Sequence, residues 1–378
     1  MTAPYFSEVC MGKKVTLKQI AEIAEVSLTT VHRVLNGKGG CSKEVEDKIL
    51  KIAKESGYYV SPVTPLQSKG PLHIAMVFPR REKEARLFIN RILDGYLSFR
   101  DQVSQFNVVF QEFYFDKPNV EESLENLYRI LKQIYHEQPV HYDGVVIYGL
   151  SITPEAEIWI NRMIGSGTKV IVLERSPRGL EDICSVEVND ELAGNLAGEM
   201  LAKCIHMEGS VVIFEQKLPD REDPNAFACE KCLREYRPEL NIARIPLVMS
   251  EDKSRNIQAV LQERSDIAGV YVTSARHTRS LLEAFKKTEI KLQAAIGSEL
   301  FEESYQALQE QKLDAIIDKR PELIGYEALK LLFTNLVKKE ELPISHKVTP
   351  RIVLRANSEI CYKSKEEERT YGKDSDFK

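Results

Sequence analysis

The stretch "VSLTTVHRVLNGKGGCS", residues 26–42, concentrates hydrogen-bonding side chains on one side of a short apolar-backed segment. At helical spacing Val31, Val34 and Leu35 share one side, and Leu28, Thr29, His32 and Arg33 share the other. A guanidinium can donate in bidentate fashion to a guanine edge, a threonine hydroxyl can meet either kind of base, and a leucine can touch a thymine methyl. Ser27, Thr30 and Asn36 add short polar groups of the kind that fix register on phosphates. The pattern points to a helix whose N-terminal end reads a major groove, although any amphipathic helix of a small bundle shares its apolar half.

Other chemistry-bearing patterns lead nowhere comparable. "CEKC", Cys229 to Cys232, lacks the second pair or the histidines that a zinc site needs, and it lies on a helical pattern, so packing explains it. "GSGTK", Gly165 to Lys169, lacks phosphate-loop spacing and precedes a strand. Neither H-E-x-x-H nor G-x-S-x-G occurs, and the seven histidines are scattered. The sequence thus implies no metal, no cofactor and no catalytic set, and an enzyme is the poorest reading.

With 378 residues the chain suits two or three domains, and 43% hydrophobic against 29% charged residues is ordinary for a folded protein. No apolar run reaches the roughly 20 residues of a membrane span, and "MTAPYFSEVC" lacks the build of a secretory signal, so a cytoplasmic protein without a membrane partner is expected. Seven cysteines, an odd and scattered set, fit free thiols better than a disulfide framework. The net charge of −5 hides an asymmetry: residues 13–60 carry nine basic and six acidic groups, +3, leaving −8 for the rest. A basic head on an acidic body agrees with a DNA-contacting module joined to a separate ligand module.

Three helices are predicted first. One follows Thr16 as N-cap, with Leu17, Ile20, Ala21 and Ala24 inward; the second follows Ser27; the third follows Ser42, with Val45, Ile49, Ile52 and Ala53 inward. "SPVTPLQSKGP", 61–71, reads as a linker. Beyond it, apolar runs such as "HIAMVF", "VVFQEFYF", "GVVIYG", "KVIVLE", "SVVIFE", "GVYVTS", "AAIGSE" and "DAIID" alternate with amphipathic segments. So many buried strands exceed one comfortable sheet and predict two doubly wound lobes with a ligand cleft at the carboxyl ends of the strands. A charged tail, expected to be disordered, is placed at 363–378.

The segment "TLKQIAEIAEVSLTTVHRVLNGKGGCSKEVEDKILKIAKESGY" resembles the head of the lactose-repressor family of bacterial transcription regulators, in its A-x-x-A-x-V-S, T-V-x-R-V-L-N and closing G-Y runs. The resemblance implies an all-α helix-turn-helix head at 13–60, base reading by Leu28, Thr29 and Arg33, and DNA contacts that include Thr16, Ser27, Thr30, His32 and Asn36. His32 stands where serine is usual, which implies an altered and pH-dependent contact. The linker lacks the family's Ala-Arg pair, leaving Leu66 as the candidate minor-groove wedge.

Residues 72–362 are similar to the periplasmic-binding-protein-like effector domain of the same family, through "VNDELAGNLAGEML", "AAIGSE" and "IIDKRPELIGYEAL". That likeness implies a two-lobed α/β domain for effector binding and dimerisation. Its carried-over contacts are Asn189, Asp190, Ser274, Arg276, Glu299 and Lys319, with Arg80 and Phe88 from the first strand-to-helix turn and Asn225 near a common arginine position. Arg276 and Lys319 together favour an anionic sugar derivative; as solvated rim charges they would favour none.

The expected protein is a homodimeric, sequence-specific regulator of transcription that binds double-stranded operator DNA under control of a sugar or sugar acid. A cytoplasmic sugar-binding protein and a sugar-active enzyme on the same scaffold are the alternatives. Family members start shortly before the first helix, so residues 1–12 read as an extension and Met11 as the natural beginning. Mass spectrometry of the native N-terminus is expected to show no peptide covering Ala3 to Val9; detecting one would place the start upstream.

Overall fold

The computed structural model describes residues 17–35, 41–55, 70–81, 87–104, 106–116, 121–136, 141–149, 152–174, 179–180, 182–217, 222–247, 253–288 and 290–370. The chain divides into two compact units between Leu72 and His73.

The first unit contains three helices, α1 (Leu17–Ala24), α2 (Leu28–Leu35) and α3 (Lys43–Glu55). Ile20, Ala21, Ala24, Val31, Val34, Ile49 and Ala53 form its buried core, with Val45 and Ile52 partly buried against them, in agreement with the apolar periodicity. Helix α1 stops in a Schellman turn. Glu25 takes the left-handed φ of 59°, and the Val26 and Glu25 amides donate to Ala21 O (3.0 Å) and Glu22 O (3.3 Å). Ser27 caps α2, its Oγ accepting from the Thr30 amide at 3.0 Å, and Ser42 caps α3 by accepting from Val45 N at 3.4 Å. Thr16, Asn36, Leu66 and the extension at 1–12 lie outside the described residues, as do the side chains of His32 and Leu35.

The second unit winds β1 (Leu72–Pro79), α4 (Ile89–Gln102), β2 (Val108–Phe115), α5 (Glu121–His136), β3 (Gly144–Tyr148), α6 (Pro154–Gly165), β4 (Lys169–Leu173) and β5 (Cys184–Val188) into a first lobe. A second lobe follows with α7 (Asp190–Cys204), β6 (Ser210–Gln216), α8 (Pro224–Tyr236), β7 (Asn241–Leu247), α9 (Lys253–Glu263), β8 (Ile267–Val272), α10 (Ala275–Phe285), β9 (Ala294–Ser298), α11 (Glu302–Gln309) and β10 (Ala315–Asp318). Helix α12 (Pro321–Lys338) and β11 (Ser345–Val348) return to the first lobe, and β12 (Arg351–Val353) and α13 (Arg355–Thr370) to the second. The sheets run β11-β5-β4-β3-β1-β2 and β12-β10-β9-β8-β6-β7. The described pairings are parallel except β10 with β12.

All eight strands named from the sequence are present. Four more were not legible: β5, with polar Ser185 and Glu187; β7, an edge strand carrying Arg244 and Pro246; and the short β11 and β12. An edge strand tolerates proline because one side of its backbone needs no ladder partner. The tail expected from 363 starts inside α13, which continues to Thr370. Its Lys- and Glu-rich run favours helix, and Tyr362 anchors the helix by stacking on Tyr305 at 4.7 Å.

The family-like glycines allow helices to touch by their backbones. At Gly325 of α12 an added Cβ would lie 1.9 Å from Ile92 O on α4, and at Gly194 of α7 one would lie 2.1 Å from Asn225 O on α8. Gly325→Ala must therefore drive α12 away from α4 and is expected to destabilise the second unit by roughly 3 kcal/mol, the upper part of the overpacking range. Denaturant unfolding measures this; a change below about 1 kcal/mol would contradict the close contact.

Candidate functional site: a reading helix and an inter-lobe cleft

Helix α2 presents the leading end that the sequence implied. Ser27, Leu28, Thr29 and Arg33 are exposed, Leu28 at 51%, while Val31 and Val34 are buried. An isolated leucine half in water is unremarkable, but one beside Thr29 and Arg33 at a capped helix start supplies a methyl surface, a hydroxyl and a guanidinium from one end. Thr30 is half-buried with its hydroxyl 2.8 Å from Ser27 Oγ, so these two side chains hold the helix start.

In the second unit the chain passes between the sheets at 188–190, 318–321 and 348–351, and the three crossings are tied to one another. Asn189 N donates to Val348 O at 3.0 Å, Lys319 Nζ lies 3.4 Å from Asp190 Oδ1, and Arg351 Nε donates to Asp318 Oδ2 at 3.0 Å. Buried Arg91 on α4 adds a further inter-lobe tie, pairing with Glu322 Oε2 at 2.5 Å and donating to Leu300 O at 3.3 Å.

Around these crossings the C-terminal strand ends bring polar groups together. Lys319 is buried; its Nζ donates to Thr273 O at 2.9 Å, and its backbone N–H donates to Glu299 Oε2 at 3.2 Å. Burial opposes the ammonium charge, but Asp190, then Glu299, Tyr271 and Asp223, hold Lys319 above the usual lysine range. Asn225 is fully buried, and its Oδ1 accepts from the Tyr271 hydroxyl at 2.8 Å while its Nδ2 meets no hydrogen-bond acceptor of the protein. Tyr148, at the end of β3, lies within electrostatic reach of Glu174 from its own lobe and of Arg276 from the other.

Glu174, directly after β4, was not among the residues singled out from the sequence. Its Oε1 is sealed from solvent without a hydrogen-bond partner, and burial followed by the nearby Asp190 charge pushes its carboxyl up to about 8, against a smaller opposing pull from Lys319. The available signal was its place as the last residue of "KVIVLE", a strand end facing the expected cleft. Glu174 (φ 71°), Glu299 (φ 67°) and Arg320 (φ 56°) all hold left-handed backbone at strand ends. For residues with a Cβ each costs of order 1–3 kcal/mol, so strain collects at this edge.

Of the carried-over positions, Asp190, Asn225, Glu299 and Lys319 come together here, with Arg276 near Tyr148. Asn189 and Ser274 serve as helix N-caps for α7 and α10, accepting from Leu192 N (3.1 Å) and His277 N (3.3 Å). Arg80 is exposed and pairs with Asp116 at 3.0 Å. Phe88 is half-buried at the N-cap of α4; its neighbour Leu87 makes the apolar contact between lobes, on Ala275 and Phe301. Of the two cations expected to favour an anion, Lys319 donates to Thr273 O and pairs with Asp190, and Arg276 lies near Tyr148. Cys229 and Cys232 are buried free thiols on α8, with Cys232 Sγ 3.4 Å from Asn195 O.

A model of the periplasmic binding protein domain matches residues 98–340, and one of bacterial regulatory proteins of the lacI family matches residues 16–61. The chain belongs to the periplasmic binding protein domain family, with a lacI-family head. The ribose operon repressor of Halalkalibacterium halodurans is 48% identical to this chain over 48 residues, 13% of the chain and 14% of the relative. Catabolite control protein A of Staphylococcus aureus is 25% identical over 191 residues, so that match spans half of this chain and 53% of the relative. Among solved structures, a chain from Bacteroides fragilis assigned as a LacI transcriptional regulator superposes with a TM-score of 0.64 at 17% identity, covering 77% of this chain and 99% of that one. An arabinose binding protein from Geobacillus stearothermophilus gives 0.62 at 16% identity, covering 77% and 99%. At these identities the structural likeness is one of fold. Among the described residues no helix is long and apolar enough to cross a membrane.

Glu174 yields a stability prediction for the ligand-free protein. Its folded-state value of about 8 lies above the roughly 4.3 of a free glutamate, so the native state keeps a proton that the unfolded chain gives up. The resulting stabilisation is fully present below about pH 4.3 and is lost as pH rises through about 8. Glu174→Gln is expected to flatten the fall of melting temperature over that window; an unchanged slope would show that the carboxyl titrates normally.

Proposed function

We propose that this chain is a sequence-specific DNA-binding transcription regulator whose hold on its operator is set by a small polyhydroxylated effector in the inter-lobe cleft. The observation that carries the reading is the leading end of α2. Leu28, Thr29 and Arg33 stand exposed over a buried Val31/Val34 face, the arrangement that a groove-reading helix requires. The lacI-family match over that segment and the regulator names of its relatives support it.

Two copies are proposed to act together, because paired heads related by a two-fold axis address two half-sites of a pseudo-palindromic duplex. The protein is read as cytoplasmic and as a binder without catalysis of its own. In the cleft, carboxylates, amides and hydroxyls at strand ends supply the donors and acceptors that a sugar's hydroxyls need. An effector that contacts the Asp190–Lys319 pair touches two of the three crossings between the lobes, so its binding energy bears directly on the lobe angle. It changes DNA affinity only by its differential affinity for the two lobe arrangements.

The test begins with selection of preferred duplexes from a random pool by the full chain. Arg33→Ala is then expected to weaken the preferred duplex by about 1–3 kcal/mol and to relax base preference at one position per half-site. An Arg33→Ala protein with undiminished selectivity, or a wild type that binds random DNA as well as any selected duplex, would defeat the reading.

A further inference from the structure

Four carboxyl groups, Glu174, Asp190, Glu299 and Asp223, lie about this cluster against three cations of the described residues, Lys319, Arg91 and Arg276. Glu174, Asp190 and Glu299 surround Lys319, whose ammonium is already occupied by Thr273 O and Asp190. Asp223 adds to the field, but its two oxygens are filled by the Asn225, Ala226 and Gln216 amides and the Thr273 hydroxyl. Arg276 reaches the cleft from α10, on the side of Tyr148.

Glu174 Oε1 has no hydrogen-bond partner among the described residues. Facing it are Asp190 at the start of α7, Glu187 on β5, Glu299 after β9, Lys319 after β10 and the Tyr148 phenol at the end of β3. Its Oε1 is closed to solvent, and no donor of the described residues reaches it, while a left-handed backbone fixes where the side chain starts. A carboxyl in this position has two stable outcomes. It keeps its proton, or it receives a cation that the protein itself does not provide. A neutral sugar's hydroxyls can donate to Oε1 but bring no positive charge to offset Asp190 and Glu299, so the proton stays in place. An acidic sugar would set another anion among Glu174, Asp190 and Glu299, whose carboxyl groups already outnumber the Lys319 ammonium beside them. An ammonium group supplies both the missing donors and the missing charge.

We propose that the effector of this cleft is a sugar-like molecule bearing an amine, and that its ammonium pairs with the Glu174 carboxylate. This rests on the reading of the cleft as an effector site. Proton balance follows from the pairing: the neutral Glu174 carboxylic acid and a cationic ligand give a carboxylate–ammonium pair and one proton released to solvent. A neutral sugar releases none. Anion exclusion and proton release are thus two consequences of one side chain.

The full chain is titrated calorimetrically with matched sets that share a carbon skeleton: glucose, glucosamine and glucuronate, and galactose, galactosamine and galacturonate. The titrations are run at mildly acid pH, below the amine's own titration, in two buffers of different ionisation heat. In at least one set the amine is expected to bind about tenfold or more tightly than its neutral partner, the worth of one hydrogen bond between charged groups, with the acid weakest. The amine's heat should differ between buffers by the release of a proton, and the neutral sugar's should not. In Glu174→Gln both the amine's advantage and the proton release should vanish. The buffer comparison uses only wild-type protein, so it stands even if that variant folds poorly. Tighter binding of a neutral or acidic member overturns the amine proposal while leaving the cleft an effector site. An amine advantage without proton release also overturns it. Binding of none of the six compounds overturns the cleft reading and this proposal together.

Discussion

The buried ammonium of Lys319 is the constraint around which the second unit is arranged. An isolated charge taken out of water at this depth would be prohibitive, so the fold must bring partners to it. They come from separate segments: Thr273 O from the end of β8, Asp190 from the first crossing, and Glu299, whose side chain holds the Lys319 backbone amide, from the end of β9. Removing the cation would leave two carboxylates facing each other near Glu174, and removing Asp190 would leave the ammonium under-compensated. The pair therefore acts less as a source of stability than as a specification of which strand ends must meet.

That specification coincides with the hinge. Lys319 and Asp318 are adjacent, and they reach in different directions: Lys319 to the crossing at Asp190, Asp318 to the crossing at Arg351. Asn189 closes the set through Val348 O. Three passages that could flex independently are thereby linked by two ion pairs and a backbone hydrogen bond. Short polar links of this kind favour discrete arrangements over continuous bending, because each bond is either formed or exchanged for another partner. Left-handed Arg320 at the start of α12, where Pro321 fixes the first helical turn, stiffens the second passage further.

What the sequence made legible follows from how local the determining physics is. The head was readable because seven buried positions in three short helices obey one periodicity, and Ser27 and Ser42 are caps recognisable by residue type. The strands of both lobes were readable where burial on two faces demands a continuous apolar run, as in β3, β4 and β8. The returns of α12 and β11 to the first lobe were not readable, since no residue near 320 or 350 announces which sheet it will join. Site residues divided the same way. Positions next to a recognisable motif, such as Asp190 and Lys319, were singled out from the sequence, but their ion pair was not, because it depends on a contact between residues 129 positions apart. Glu174 was visible only as the end of a strand. Its importance comes from a field assembled by Asp190, Glu299 and Glu187, which no local pattern contains.

The same features bear on the regulator role proposed above. A switch needs two arrangements whose free energies differ by no more than a ligand can supply, commonly a few kcal/mol. A cleft edge with left-handed Glu174, Glu299 and Arg320, and with a carboxyl forced to keep its proton, raises the free energy of the arrangement without ligand. The hinge bonds lower it again by holding the crossings in register. Under the proposed function, a ligand that satisfies Glu174 or competes for Asp190 would act on both terms at once, so modest binding energy would be converted into a change of lobe geometry. In a cleft lined only by relaxed, fully partnered groups, equal affinity would be gained with less coupling, because the ligand would have nothing strained to relieve and no hinge bond to exchange.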